Sequence, residues 1–324
     1  LEDLNGIALT TGIDSNGGSI QNASLRGMAL SFSSPSLLNV FVDSLAPDIA
    51  ITGPTEGSII NSSNDSTTFT ITGTCSEGSQ TVSIEVDSAP AISQTGFNCN
   101  GVNFTGTIDT TGLTQAAHTL VALISDTAGN TSPSTTINIT KDSTLPSVSS
   151  INPPADGIYI SGVNLDFIVN TDKTINVTGT PRLEFNIGGV TRYANYINGT
   201  GTSALTFRYT ITNPDDDQDG IAFNSNNIDL NSGTLLDSSL NAINLDLSLN
   251  SSLPSLAGIL VDTIIPTVAI TYSPDITTAN QLAYSISGTC SEEGRNLSVN
   301  VGGIPITPTC TSSAWSSGSL DVSG

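Results

Sequence analysis

The sequence predicts an all-β chain of tandem Greek-key β-sandwiches in an extended array, with no helix of useful length. Three observations carry this prediction. A five-residue pattern of Asp, Ser or Thr, two mostly apolar residues and Pro occurs three times, at Asp43–Pro47, Asp142–Pro146 and Asp262–Pro266. Between these patterns apolar and polar residues alternate, with Gly, Pro, Asn and Ser at the breaks, which is the period of strands with one buried face. The stretches so bounded are of two kinds, and each kind recurs.

Each proline pattern follows a strand-like run (Val40–Val42, Ile137–Ile139, Ile259–Val261) and precedes another (Ile49–Ile51, Val148–Ile151, Val268–Ile270). Proline fixes its own φ and pushes the preceding residue into extended geometry, so a strand leaves one sheet and enters the next without a helix or a long loop. The patterns are therefore read as joints between domains.

Residues 47–142 hold strand candidates at Ile49/Ile51, Phe69/Ile71, Val82/Ile84/Val86, Leu120/Ala122/Ile124 and Ile137/Ile139. Several short strands in about a hundred residues indicate a Greek-key sandwich. This is a type B module. Residues 146–262 form a complete type A module, with Leu165/Phe167/Val169, Ile175/Val177, Leu183/Phe185/Ile187 and Leu205/Phe207/Tyr209/Ile211 each placing apolar side chains on one face. Gly73-Thr74-Cys75-Ser76-Glu77 recurs as Gly288-Thr289-Cys290-Ser291-Glu292, so residues 266–324 read as the N-terminal part of a second B module. Residues 1–43 read as the C-terminal half of an A module, because Asn5-Gly6-Ile7-Ala8 aligns with Asp219-Gly220-Ile221-Ala222. Half a sandwich cannot bury its apolar face and is expected to pack poorly on its own. The chain then reads as a piece of a longer polypeptide.

Composition narrows the function. Seven Lys and Arg stand against 29 Asp and Glu, a formal net charge of −22. A phosphate backbone or an anionic lipid surface would be repelled, so neither nucleic acid nor an anionic membrane is an expected partner. No apolar run is long enough to span a bilayer. The acidic balance suits divalent cations, and it equally suits a solvated surface with no ligand.

The four cysteines fall within the B modules, and Cys75–Cys99 and Cys290–Cys310 are the expected disulfides. The second cysteine of each pair is followed five residues on by an aromatic, Phe104 or Trp315. Similar spacing in the two copies and an acidic, secreted-type composition favour disulfides over buried thiols. Zinc is disfavoured, since there is no C-x-x-C and the one histidine is His118. That histidine is expected at a strand edge in a structural role, and no His-based catalytic group is assembled around it.

Asp215, Asp217 and Asp219, followed by Gly220, reproduce the start of a calcium loop, in which alternate oxygens turn inward and Gly permits the bend. Asn226 stands where an EF-hand needs Glu, so an EF-hand is rejected; a calcium-binding β-turn and a solvated acidic turn both stay open. Asp126 with Asn130, and Asp237 with Asn241, each bracket a tight turn and could aim two oxygens at one point. The joint residues Asp43, Asp142 and Asp262 could supply another, giving a calcium ion shared between domains. The competing reading is an Asx-turn that satisfies its own backbone.

Gly73-Thr74-Cys75, His118-Thr119-Leu120, Asp126-Thr127-Ala128-Gly129-Asn130 and Asp142 to Pro146 resemble the bacterial Ig-like repeats of large repetitive surface adhesins and biofilm-associated proteins. Thr178 to Leu183, Gly188 to Ala194 and Gly201 to Phe207 resemble a second repeat type from such proteins. The resemblance covers essentially the whole chain. It implies tandem Ig-like sandwiches, display outside a bacterial cell, and often calcium at the domain joints. Asn22 and Arg26 depart from the Asp/Asn turn pattern, so the resemblance implies no cation site at that turn of the first half-module.

The leading expectation is a non-enzymatic spacer of a cell-surface adhesin, stiffened by calcium, whose receptor or surface glycan is bound outside this segment. Two alternatives stand beside it. One is a glycan- or surface-binding module using Tyr193 and Tyr196; the other is an accessory region of a secreted hydrolase.

Overall fold

The computed structural model describes residues 42–132, 135–248 and 253–324, together with Gln21. The half-module placed at residues 1–43 lies, apart from Gln21, Val42 and Asp43, outside the described residues. No helix occurs among the described residues, and buried apolar side chains gather in three separate cores.

The first sandwich contains β1 (Ile49–Gly53), β2 (Ser58–Ile60), β3 (Phe69–Cys75), β4 (Val82–Val86), β5 (Ala89–Pro90), β6 (Asn103–Ile108), β7 (Ala117–Ile124) and β8 (Thr135–Lys141). One sheet has the order β1-β3-β6 and the other β2-β8-β7-β4-β5. The chain changes sheets between β1 and β2, and β2 then runs parallel to the last strand, β8. That exchange, with antiparallel pairing elsewhere, is an Ig-like Greek-key arrangement. Alternation decides which face is buried: on β4 Val82, Ile84 and Val86 point inward, and on β7 His118, Leu120, Ala122 and Ile124 do. The Cys75–Cys99 disulfide is part of this core, beside Phe97 and Phe104.

The second sandwich contains β9 (Val148–Asn152), β10 (Gly157–Tyr159), β11 (Asn164–Thr178), β12 (Arg182–Ile187), β13 (Val190–Asn198), β14 (Thr202–Thr210), β15 (Asp216–Asp217), β16 (Ala222–Phe223), β17 (Thr234–Leu236) and β18 (Ile259–Asp262). Its second strand, β10, again pairs in parallel with its last, β18. The sequence reading divides Asn164–Thr178 into two strands, whereas the structure has one strand of 15 residues. Its register shifts between Asn170 and Ile175. The polar stretch Thr171-Asp172-Lys173-Thr174 is accommodated as an irregularity, and the strand changes partners there, from β14 and β9 to β17. Such irregularities bend a strand and re-aim its side chains. Phe167, Phe185 and Phe207 are fully buried, with Phe167–Phe185 and Phe185–Tyr209 ring centroids each 5.4 Å apart. Each such ring contributes roughly 2–3 kcal/mol through burial alone.

The third unit contains β19 (Val268–Tyr272), β20 (Ser287–Cys290), β21 (Val299–Val301), β22 (Ile304–Ile306) and β23 (Ala314–Ser316). The sheet β19-β20-β23 repeats the pairing of β1-β3-β6, and β21–β22 is a hairpin like β4–β5. Its core is Tyr284, Ile286, Trp315 and the Cys290–Cys310 disulfide. All of β19 is exposed, in contrast to β1, because among the described residues the hairpin alone stands where the first sandwich has a five-stranded sheet.

Candidate functional site

Charged residues meet at the joint between the first and second sandwiches. Strand β8 ends at Lys141 and β9 begins at Val148, so six residues connect the two cores. The main chain at Asp142 is still tied to the first sandwich, its N–H donating to the Ile60 carbonyl at 2.9 Å. Its carboxylate faces the second.

There the irregularity in β11 presents Lys173. The ammonium lies 2.9 Å from Oδ1 and 3.2 Å from Oδ2 of Asp142, 2.9 Å from Oδ2 of Asp237 and 2.7 Å from the Thr144 carbonyl oxygen. Three acceptor groups match its three N–H donors. Oδ1 of Asp237 accepts the backbone N–H groups of Ser239 and Asn241, and the Asn241 amide donates to the Asp142 carbonyl at 2.8 Å. Ser239 Oγ donates to Asp142 Oδ2, the Asn61 amide donates to the Ser239 carbonyl, and the Ser62 N–H donates to Asn241 Oδ1. Both modules thus contribute donors and acceptors to one network.

Burial by itself would raise the carboxyls of Asp142 and Asp237, but the hydrogen bonds and charge of Lys173, together with the hydrogen bond from Ser239 to Asp142 and those from Asn241 to Asp237, hold both below the ordinary carboxylate value. Burial opposes the charge on Lys173 too, and the two aspartates overcome it, so its pKa is raised. The shifts favour the charged forms of Lys173 and of both aspartates.

The other lysine lies at the end of β8, beside the same connecting segment. Lys141 is buried, with Nζ 2.8 Å from Asp65 Oδ2 and 2.8 Å from the Thr110 carbonyl oxygen. Ser143, on the connecting segment, also donates to Asp65 Oδ2 at 2.9 Å. Burial would raise the Asp65 carboxyl, and the Lys141, Ser143 and Thr110 hydrogen bonds reverse this. Sequence reasoning missed all three ion pairs. The one sign of them was that a chain of 29 acidic residues has only two lysines.

The residues expected to bind calcium separate into three groups. Asp142, Asp237 and Asn241 do converge, but around an ammonium. Calcium needs six to eight oxygens at about 2.3–2.6 Å, and Lys173 fills both the space and the charge requirement, so these residues do not fit a divalent ion. Asp126 and Asn130 form the corresponding turn of the first sandwich: Asn130 donates its N–H and amide to the Asp126 carboxylate, and the amide reaches the Asp43 carbonyl at 3.1 Å. That turn satisfies its own polar groups in the Asx-turn manner. Asp262 Oδ1 accepts the Ile264 N–H at 3.0 Å, again a local turn.

The acidic run is the third group, and its geometry departs from the expected loop. Asp215 is buried, its Oδ1 accepting from Nε and Nη2 of Arg192 at 2.8 and 2.6 Å and its Oδ2 from the Tyr209 hydroxyl at 2.6 Å. Asp217 turns toward backbone N–H groups of Gly188 and Gly220, while Asp219 is exposed. The alternate oxygens therefore serve different parts of the sandwich instead of one centre. Among the described residues no group of three or more His, Cys, Asp and Glu is placed to hold a metal. Gly220 keeps the role the motif gives it, since its φ of 101° is left-handed and a Cβ would strike the Ala257 backbone.

Two further expectations are revised. His118 is not at an edge: β7 lies between β4 and β8, and the imidazole is buried. Tyr193 and Tyr196 do not form a free aromatic platform. The Arg182 guanidinium covers the Tyr193 ring at 3.9 Å, and Tyr196 packs edge-on against Phe207 with centroids 5.9 Å apart.

No protein-family model matches the chain, and no curated protein matches it in sequence. Among solved structures, it is similar to a Ca2+-stabilized adhesin with which an Antarctic bacterium reaches out and binds ice, at 16% identity and a TM-score of 0.46, over 86% of this chain and 67% of that one. It is similar as well to an I-band fragment of titin, at 9% identity and a TM-score of 0.40, over 86% of this chain and 90% of that one. Neither likeness carries the fold assignment, which rests on the strand pairing of this chain itself.

Proposed function

We propose that the chain is a non-enzymatic spacer segment of a large repetitive bacterial adhesin, displayed outside the cell and holding binding domains away from its surface. The observation that carries this reading is the pair of short joints. Six residues separate β8 from β9 and five separate β18 from β19, so the last strand of each sandwich feeds the first strand of the next. Separate cores joined this way resist collapse into one globule, and the network at Asp142 limits bending at the joint. Disulfides at Cys75–Cys99 and Cys290–Cys310 suit an oxidising, extracellular setting. In this reading the receptor or surface glycan is bound outside the segment. Any calcium contribution falls to the joints at Asp43, with Asp126 and Asn130, and at Asp262.

Small-angle scattering tests the proposal. A compact globule of this length would have a radius of gyration of about 20 Å. A spacer gives a value well above that, with a rod-like distance distribution, whereas a value near the compact figure rejects it.

A further inference from the structure

We infer that Lys173 is the built-in cation of the joint between the first and second sandwiches: it holds Asp142 and Asp237 together, so that the geometry of this joint is independent of calcium.

The position of Lys173 can be matched in all three units. Ile49 pairs with Cys75, Val148 with Thr171 and Val268 with Cys290, each from the first strand to the second sequence-adjacent core strand. One step further, the N–H of Ser76 donates to the Asp48 carbonyl, that of Asp172 to Ser147, and that of Ser291 to Thr267. The side chains of Ser76, Asp172 and Ser291 in turn accept from the N–H groups of Asp48, Ser147 and Thr267. The next residue is Glu77 in the first unit, Lys173 in the second and Glu292 in the third.

The fold therefore accepts glutamate at this register position twice. Lysine at the third is not demanded by strand geometry, and what distinguishes it is its charge and its donors. Without it, the carboxylates of Asp142 and Asp237 would face each other across the joint with no cation between them. Like charges so placed repel and must recruit protons, ions or water. With it, every N–H of the ammonium has an acceptor, and the acceptors come from the connecting segment and from the following sandwich. The tether is thus part of the polypeptide and cannot be removed by a chelator.

Distance measurements between nitroxide labels across the joint test this on the full chain. Introduced cysteines at Thr70 and Asn176, both exposed, carry the labels, with the native disulfides left intact. The unsubstituted joint should give one narrow distance distribution, identical in EDTA and in millimolar calcium. Lys173→Gln should broaden the distribution in both conditions. Lys173→Glu, which adds a third carboxylate to the pair, should broaden it in EDTA and narrow again when calcium is added. Circular dichroism confirms that both sandwiches stay folded in each variant. A native distribution that shifts or narrows with calcium would overturn the inference. So would a Lys173→Gln joint as narrow as the native one in EDTA.

Discussion

Gly73 lies directly across the β3–β6 ladder from Phe104, and the aromatic ring occupies the space a side chain on residue 73 would need. The third unit repeats this with Gly288 and Trp315, whose indole N–H donates to the Ala269 carbonyl at 3.2 Å. The recurrence of glycine two residues before each first cysteine thus has a packing cause. Gly73→Val is expected to destabilise the first sandwich by about 1–3 kcal/mol, the usual cost of overfilling a packed core. Calorimetry should show its transition lowered while that of the second sandwich stays put. An unmoved first transition would show that Phe104 yields the space freely.

The two disulfides link residues 24 and 20 apart, with Cα–Cα distances of 6.0 and 5.9 Å. Closing a loop of that size restricts the unfolded chain and contributes about 3 kcal/mol in the chain-entropy model. The second sandwich has no cysteine and serves as an internal reference. Reductant, or the paired change of Cys75 and Cys99 to Ala, should lower the urea midpoint of the first sandwich and leave the second unmoved. Equal loss in both sandwiches would point to coupling through the joint instead.

Much of the architecture was legible because a sheet with one buried face imposes a period of two. Leu165, Phe167 and Val169 are buried on β11 as their alternation requires. The continuity of that strand was not legible, since Thr171-Asp172-Lys173-Thr174 breaks the alternation and only tertiary pairing shows that the strand carries on. The partners of Asp142 were hidden for a related reason: Lys173 and Asp237 lie 31 and 95 positions away, and no local pattern ties them together. The Asp-to-Asn turn at Asp237 and Asn241 carries no local sign of whether a metal or a lysine fills the space beside it. His118 shows the same limit, because period alone does not separate a central strand from an edge.

Asp215 and Arg192 form the buried ion pair of the second sandwich, with the carboxylate side chain wholly inaccessible. Burial would raise the Asp215 carboxyl, yet the Tyr209 hydroxyl, the Thr212 N–H and the Arg192 guanidinium hold it below the ordinary value. A depressed carboxyl contributes stability that is present above its unfolded pKa and lost as pH falls through its folded one. Arg192→Met leaves the charge buried without its cationic partner, at an expected cost of about 3–5 kcal/mol near neutral pH. Its acid loss of stability should also begin at higher pH than in the native chain, because the unpaired carboxyl protonates sooner. Acid melts of the two proteins check both points, and superimposable curves would remove Arg192 from the account.

His118 joins the ends of β4 and β7 in the first sandwich. Its Nδ1 lies 2.7 Å from the Asp87 carboxylate and its Nε2 lies 2.9 Å from the Thr114 carbonyl oxygen. Both neighbours only accept, so both ring nitrogens donate, and that requires the imidazolium form. Burial works against the charge, but the Thr114 carbonyl and Asp87 prevail and raise the pKa above the ordinary histidine value. A raised histidine contributes stability that is complete below the unfolded pKa, about 6.5, and is lost as pH rises through the folded one. The first sandwich should accordingly weaken on the alkaline side of that value, and His118→Gln should flatten the slope. The loss is expected to be small, since Asp87 is half exposed and its attraction is screened. The chain has a single histidine, so an NMR titration reads the group without ambiguity. A measured value at or below that of a free histidine would mean that the neutral ring prevails and one of the two hydrogen bonds is lost, and the alkaline weakening would then be absent.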